Sequence, residues 1–399
     1  MEYYNKTDTA YLSAVSKPYA DMVYRIQPLD HWENAIGEIT AEISRAKDLS
    51  VSANYENGVR RSCTFSLINT DGRFTLSKNA DFWYNRKFRI LAGVKCGDDI
   101  YNQSQGVFIC EGSRASGKVL SLTGIDKFGN LTGELNVGKC VKEFSTKKEL
   151  GEIYVAELIR HTLMIDIGNG LPIDPVPPLI DPYFETATLY ADITLSIGQY
   201  YGEIITKLAD MYGADVYYNT DGRLVFRRKP TYNIPSFYSH IGHIWRFEEN
   251  DINIMSGSTS EMKLDGINAV TVSTDNSSGD IYSYTARNEN AESPLNVKAI
   301  GERYPDEPVV YISIGDTDRE DPQEKCKQYA EFLLMQSTMN SITENFTATF
   351  IPHFDVGKVI FYKGSDYVIN SLSIDLAAKT MQVQACNTMM LPTNDRIAY

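Results

Sequence analysis

A chain of 399 residues exceeds what one core ordinarily organises, and a prior of about 150 residues per domain predicts two or three units, with three expected here. Its 43% hydrophobic and 23% charged residues exclude a disordered or membrane-embedded chain as the starting assumption. With 52 acidic against 38 basic residues the net charge is −14, which excludes a basic phosphate-binding surface and suits one that should not hold DNA.

From about Tyr24 to Leu131 the sequence reads as strands and turns. Val59, Cys63, Phe65 and Leu67 alternate with Arg60, Ser62, Thr64 and Ser66, the period of a half-buried strand, between turn signals at Asn57-Gly58 and Asp71-Gly72. Phe88, Ile90, Ala92 and Val94 repeat the pattern before a Gly97-Asp98-Asp99 turn. Gly106 to Cys110 and Val119 to Thr123 are then expected to form a hairpin about a Gly112 to Gly117 turn. This block predicts a β-barrel or sandwich.

The middle differs. Val155, Leu158, Ile159 and Leu163 have helical spacing within Gly151 to Met164, and Ile204, Ile205, Leu208, Ala209 and Tyr212 mark a second helix. Ser196 with Gln199 offers that helix a capping box, and Gly213 can end it in the left-handed conformation. Ala214 to Asn219 and Arg223 to Arg228 form a hairpin around Thr220-Asp221-Gly222. Five prolines between Pro172 and Pro182 predict a surface excursion.

Strands return from about Ile244, at Val270 and Val272 and at Val309 to Ile314. One helix interrupts them over residues 322–337: Asp321 caps it, Pro322 takes the first position, Glu324 completes the box, and Cys326, Tyr329, Ala330, Leu333 and Leu334 make the apolar stripe. Phe346 to Phe350, Val356 to Tyr362, Tyr367 to Ile374 and Met381 to Ala385 complete a second β block. Its ending repeats the strand order of the first, which fits either a duplicated domain or two independent β-meanders.

Chemistry-bearing patterns are sparse. Cysteines at 63, 96, 110, 140, 326 and 386 have no C-x-x-C spacing and read as free thiols folded in a cytoplasm. His240-Ile-Gly-His243 lacks a further ligand on a defined element, and His161 reads as a helix-surface residue. Asp316, Asp318 and Asp321 lack the glycine and bidentate glutamate of a calcium loop. No nucleophile elbow, Walker loop, HExxH or dinucleotide fingerprint is present, so no catalytic, cofactor-binding or metal residue is assigned. The 26 tyrosines and 16 phenylalanines read as core and interface. Met1 to Ser13 lacks a signal pattern and no 18-residue apolar run occurs, so membrane insertion is not expected.

The series from Arg61-Ser-Cys-Thr-Phe-Ser-Leu-Ile-Asn-Thr-Asp-Gly-Arg-Phe74 through Trp83-Tyr-Asn-Arg-Lys-Phe-Arg-Ile-Leu-Ala-Gly93 and Gly106-Val-Phe108 to Asp126 resembles the N-terminal region of phage tail hub and tail-associated proteins. Gly213 to Phe226 and Phe354-Asp-Val-Gly-Lys-Val-Ile360 resemble that family's middle and last parts. The resemblance implies an α+β, mainly β fold in which two tube-type β-barrel domains, 1–135 and 241–399, flank a small α/β domain, 136–240. It further implies a non-enzymatic homotrimer whose six barrels match the sixfold tail tube protein while its other side meets a threefold spike or tail-tip protein. Baseplate proteins and a tape-measure protein are the other implied partners, and DNA or, in a bacteriocin-like particle, ions would pass without specific binding. An acidic lumen is expected to repel phosphate. The particle tail, assembled in the bacterial cytoplasm, is the implied location, and no fused cell-wall enzyme is expected before Tyr399. A peptidoglycan hydrolase with an unrecognised carboxylate pair and a receptor- or carbohydrate-binding tail protein are the alternatives.

Overall fold

The computed structural model describes residues 9–17, 20–36, 46–70, 72, 84–189, 192–228, 243–247, 251, 253–262, 266–275, 281–291, 293–306, 309–310, 322–339 and 342–387. The fold is mainly β, and the chain divides into two compact units. The first comprises Met1–Lys229, Thr347–Asp355 and Ser371–Gln382; the second comprises Pro230–Phe346, Val356–Asn370 and Val383–Tyr399.

The first unit opens with helix α1 (Thr9–Val15) and then builds an antiparallel sheet from β1 (Met22–Leu29), β2 (Ala46–Asn54), β3 (Arg61–Ile68), β4 (Lys87–Cys96), β5 (Asp99–Ser116) and β6 (Val119–Asp126). Spatial order is β1-β4-β5-β6-β3-β2, and residues 371–375 pair antiparallel with β2. The predicted alternation holds in β3, where Cys63, Phe65 and Leu67 are buried while Ser62 and Thr64 face water. Gly124 lies where an added Cβ would come within 2.8 Å of the Phe88 ring and 3.2 Å of the Cys63 sulfur, so a bare backbone lets those side chains close over β6. The predicted Gly112 to Gly117 turn is shorter than expected. A bulge between Cys110 and Gly112 keeps β5 paired to Ser116, and Gly117, at φ 59°, makes the turn almost alone.

The rest of this unit is α/β. Helix α2 (Val155–Leu163), β7 (Leu179–Ile180), helix α3 (Glu203–Tyr212), β8 (Ala214–Tyr218) and β9 (Leu224–Arg228) surround a core that includes Leu158, Ile159, Phe184, Ile204, Leu208 and Phe226. The hairpin β8–β9 forms as predicted, with β7 added parallel to β9. Gly213 ends α3 at φ 57°. The Ser196–Gln199 pair, however, closes a separate turn, with Ser196 N–H donating to Gln199 Oε1 at 2.7 Å. Helix α3 starts later, where Glu203 Oε1 accepts from Tyr200 N–H at 3.0 Å. Gly202 precedes it because a Cβ there would lie 2.3 Å from the Leu131 backbone.

The proline-rich segment is not a surface excursion. Ile173 and Asp174 are 1% and 2% exposed, and Leu179–Ile180 form the edge strand β7. An edge strand needs donors on one side only, so prolines that precede it are tolerated.

In the second unit, β10 (Trp245–Arg246), β11 (Ile254–Met262), β12 (Ala269–Asp275), β13 (Ile281–Arg287), β14 (Val309–Val310), helix α4 (Pro322–Met339), β15 (Ile342–Thr349), β16 (Val359–Tyr362), β17 (Ser365–Asp375) and β18 (Thr380–Asn387) contribute all or part of their length. Strands β13-β12-β14 form a small sheet. Cys326, Ala330 and Leu334 of α4 pack on Val270, Val272 and Ala286, the stripe that helical spacing predicts. The helix runs two residues past the expected 337; Asp321, its predicted cap, lies outside the described residues, as do residues 311–314 of the expected strand at Val309. β16 pairs with β10 and with the first half of β17, and beside them Phe346 stacks on Tyr362 at 4.5 Å with Phe247 edge-on at 5.3 Å from Phe346. These aromatics are core, as the composition suggests.

Candidate functional site: a hydroxyl face above buried charge clusters

The period-two pattern of β2, β3 and β6 sends Val51, Phe65, Leu67, Leu120 and Leu122 to one face of the first unit's sheet and leaves mostly short polar side chains on the other, which Ile68, Val119 and Ile125 share at its ends. Cross-strand register assembles the latter into a field. Ser52 stands opposite Ser62, Ser50 opposite Thr64, Thr64 opposite Thr123 and Ser66 opposite Ser121. The rows extend on the far side of β2, where Ser371 and Ser373 oppose Asn54 and Ser52. Ser62, Thr64, Ser121, Thr123 and Ser373 are exposed, and Ser50, Ser52, Ser66 and Ser371 are half-buried.

Many of these hydroxyls already have partners on the face. Ser50 and Thr64 oxygens are 2.8 Å apart, Ser66 and Ser121 3.1 Å, and Ser371 Oγ donates to Asn54 Oδ1 at 2.8 Å. Charged residues pair directly with these rows, with Asp375 opposite Ser50, Lys47 opposite Ser66 and Arg114 opposite Ser121.

Beneath the exposed surface of the same unit lie charges of a different kind. Lys127 Nζ is 2.5 Å from Glu33 Oε1 and 2.8 Å from Asp174, with Lys127, Glu33 and Asp174 side chains 1%, 6% and 2% exposed. Asp174 also accepts from the Tyr218 hydroxyl at 2.7 Å and from Val176 N–H at 3.1 Å. Lys87 donates to the His31 carbonyl at 3.0 Å and lies 3.5 Å from Glu33. Burial, and then the neighbouring Lys127, lower the Lys87 pKa; burial, and then Asp174, raise that of Tyr218. His31 is held down mainly by desolvation, and its Nε2 lies 2.8 Å from the Pro172 carbonyl.

A second cluster uses the residues at the start of β3. Arg60 reaches Asp215 at 3.0 Å and lies 3.5 Å over the Tyr217 ring, while Arg227 takes the other Asp215 oxygen at 3.0 Å. Arg61 donates to the Tyr218 carbonyl at 2.8 Å and pairs with Asp355. Asp126 ends β6 by accepting backbone N–H groups from Arg60 at 2.8 Å, Arg61 at 2.9 Å and Phe128 at 2.9 Å. Desolvation outweighs those three bonds and raises its pKa to about 6. Both clusters fasten the α/β hairpin and the proline-rich segment to the β-sheet strands, so their chemistry is mechanical attachment.

The sequence patterns weighed for chemistry are not brought together. His243 Nε2 lies 2.5 Å from Asp366, while His240, Asp316, Asp318 and Asp321 lie outside the described residues. His161 is exposed on α2. Among the described residues no group of three or more His, Cys, Asp or Glu is placed to hold a metal, and no helix is long and apolar enough to cross a membrane. Of the clustered residues, the sequence reading names Arg60 in a strand alternation and Arg61, Lys87 and Asp126 within the family resemblance, none of them as part of a site. Glu33, Lys127 and Asp174 had no spacing to announce them; the one usable signal was an Asp amid apolar and proline residues at 172–178.

No family model matches the sequence, and no curated protein matches it. Among solved structures, a tail protein from Neisseria meningitidis MC58 superposes with a TM-score of 0.56 at 12% identity, covering 94% of this chain and 99% of that one. The chain shares a fold with phage tail proteins. The 43 kDa tail protein of prophage MuSo2 from Shewanella oneidensis gives 0.54 at 10% identity over 93% and 99% of the two chains. A Francisella PdpA–VgrG complex, half-lidded, gives 0.51 at 9% identity, covering 96% of this chain but 60% of that one. The likeness runs over nearly the whole chain, and the mainly β fold is the one the sequence resemblance implies.

Proposed function

We propose that the chain is a structural, non-enzymatic hub of a phage tail or tail-like particle. It acts as a homotrimeric symmetry adaptor between the sixfold tail tube and a threefold spike or tail tip. In this reading residues 1–135 and 241–399 are tube-type β-barrel domains and 136–240 the α/β domain between them. Two β domains per chain, taken three times, meet a sixfold ring. Baseplate proteins and a tape-measure protein are its neighbours in the tail, and the ring surrounds the ejection channel.

The observation that carries this reading is the two-way coverage of the fold, 94% of this chain and 99% of the Neisseria tail protein, which leaves no large part of either unexplained. The buried charge clusters agree with a part that transmits load, since they fix the α/β segment to the sheet at several points. Electron microscopy of purified particles and native mass measurement of the isolated chain test it. A threefold ring of this chain at the distal tube is expected. A stable monomer absent from the tail would sink the proposal.

A further inference from the structure

We infer that Asn169 is a site of spontaneous covalent modification, at which the backbone nitrogen of Gly170 closes on the asparagine side chain and converts it to aspartate and isoaspartate. The inference goes beyond the hub reading and does not rest on it, because the chemistry needs only this chain and water.

The sequence holds two Asn-Gly pairs, Asn57-Gly58 and Asn169-Gly170. Glycine after asparagine favours ring closure, because no Cβ shields the attacking nitrogen. Exposure does not separate the two pairs, since both asparagines are exposed, but hydrogen bonding does. Asn57 Nδ2 donates to the Ala214 carbonyl at 3.1 Å, Asn57 Oδ1 accepts from Val216 N–H at 3.0 Å, and Gly58 N–H donates to the Val216 carbonyl at 3.2 Å. Both reacting groups of the first pair are thus committed to β8, and all three bonds must break before they can meet. At the second pair, φ angles of 58° at Asn169 and 74° at Gly170 are those of a type I′ turn. Its closing bond is donated by Leu171 N–H to the Gly168 carbonyl at 3.2 Å, and so uses neither the Asn169 amide nor the Gly170 nitrogen. A Cβ built on Gly170 would meet nothing within 4 Å, so the ring has room to form. Opening the Leu171–Gly168 bond frees the turn to bring the nitrogen and the side-chain carbonyl carbon together.

The reaction balances without an oxidant or a cofactor. Gly170 N bonds to Asn169 Cγ as the Cγ–Nδ2 bond breaks, and the Gly170 proton leaves with the amide group as ammonia. Water then opens the resulting succinimide. Attack at Cγ restores the ordinary main chain as aspartate, whereas attack at the Asn169 main-chain carbonyl leaves the chain running through Cγ as isoaspartate. Either product adds a negative charge to a tip that already carries Asp166, whose Oδ1 accepts from Gly168 N–H at 2.7 Å. The arms of this loop are tied independently of the turn. Ile167 N–H donates to the Leu171 carbonyl at 2.8 Å, Ile173 N–H to that of Ile165 at 3.1 Å and Asp174 N–H to that of Leu163 at 2.9 Å. The change is therefore confined to the tip, and the buried contact of Asp174 with Lys127 stays in place.

The test incubates the full-length wild-type chain in mildly alkaline buffer, below its unfolding temperature, and follows both pairs by peptide mass spectrometry with fragmentation that separates aspartate from isoaspartate. Asn169 should convert at least tenfold faster than Asn57, with isoaspartate among the products and the circular dichroism of the chain unchanged. In urea above the unfolding midpoint the two pairs should convert at similar rates, since nothing then holds Asn57. Equal rates in the folded chain would overturn the inference, because the bonds to β8 would not be what protects Asn57. So would an Asn169 that stays intact in the folded chain while it converts in urea. Neither result bears on the hub reading, which the symmetry of the particle decides.

Discussion

In the first unit Lys127 and Asp174 lie 2.8 Å apart with side chains 1% and 2% exposed, and Arg60 and Asp215 lie 3.0 Å apart at 2% and 5%. In the second unit Arg287 and Glu302 are as close, 2.7 Å, yet 40% of each is exposed, and Lys363 meets Glu344 at 3.1 Å with its own side chain 45% exposed. Similar distances conceal opposite energetics. A surface pair gains little because water and salt screen it, whereas a buried pair has lost its hydration and depends on every partner being present. The buried set therefore says little about net stability but much about geometry: once formed, it tolerates few alternative placements of the segments that supply it.

Removing one member of the buried set should give the largest effect. Lys127→Met keeps roughly the length of the side chain and leaves Asp174 buried without its cation, while Glu33 retains, among the described residues, only Lys87 at 3.5 Å and Arg89 at 3.6 Å. Loss of about 3–5 kcal/mol is expected, read by urea unfolding. Adding Asp174→Asn should recover part of this, because the Tyr218 hydroxyl can still donate to the amide oxygen and the stranded Asp174 charge is gone. A loss below about 1 kcal/mol for Lys127→Met, the range of surface pairs, would erase the distinction between the two units.

Asp126 sharpens the comparison through pH. Its folded pKa of about 6 lies above the ordinary 3.8, so the folded chain holds a proton that the unfolded chain releases. The stability this group contributes is fully present below the unfolded value and is lost as pH rises through the folded one. Asp126→Asn cannot titrate. The margin of wild type over the variant should therefore shrink by up to about 3 kcal/mol between pH 4 and pH 6.5, measured by urea unfolding at each pH. A margin that grows over that range would show that the three backbone N–H bonds to Asp126 outweigh its burial.

How much of this was legible in the sequence differs between the face and the clusters. The hydroxyl face could be read strand by strand, because Ser62, Thr64 and Ser66 alternate with Cys63, Phe65 and Leu67. Its continuity could not, since register depends on pairings between residues far apart in the chain, such as Ser371 with Asn54. Helix α4 was legible to within two residues because its stripe is local. The Glu33–Lys127–Asp174 cluster was illegible: its members come from a loop, a strand end and a proline-rich segment that share no period. The prolines themselves pointed the wrong way, because a lack of N–H donors excludes a central strand but not an edge strand such as β7.

The smallest effect is expected at Arg287. Its guanidinium is held above its usual pKa by Glu302, which also accepts from the Tyr304 hydroxyl, so the pair is geometrically good. Good geometry at an exposed site still competes with water, and two long side chains must be ordered to keep it. Arg287→Ala should leave the urea midpoint of the chain unchanged, and raising salt should leave wild type and variant together. If this variant instead unfolded as readily as Lys127→Met, burial would not be what separates the two units. The exposed pair would then have to be pinning β13 as firmly as the buried cluster pins the segment that carries Asp174.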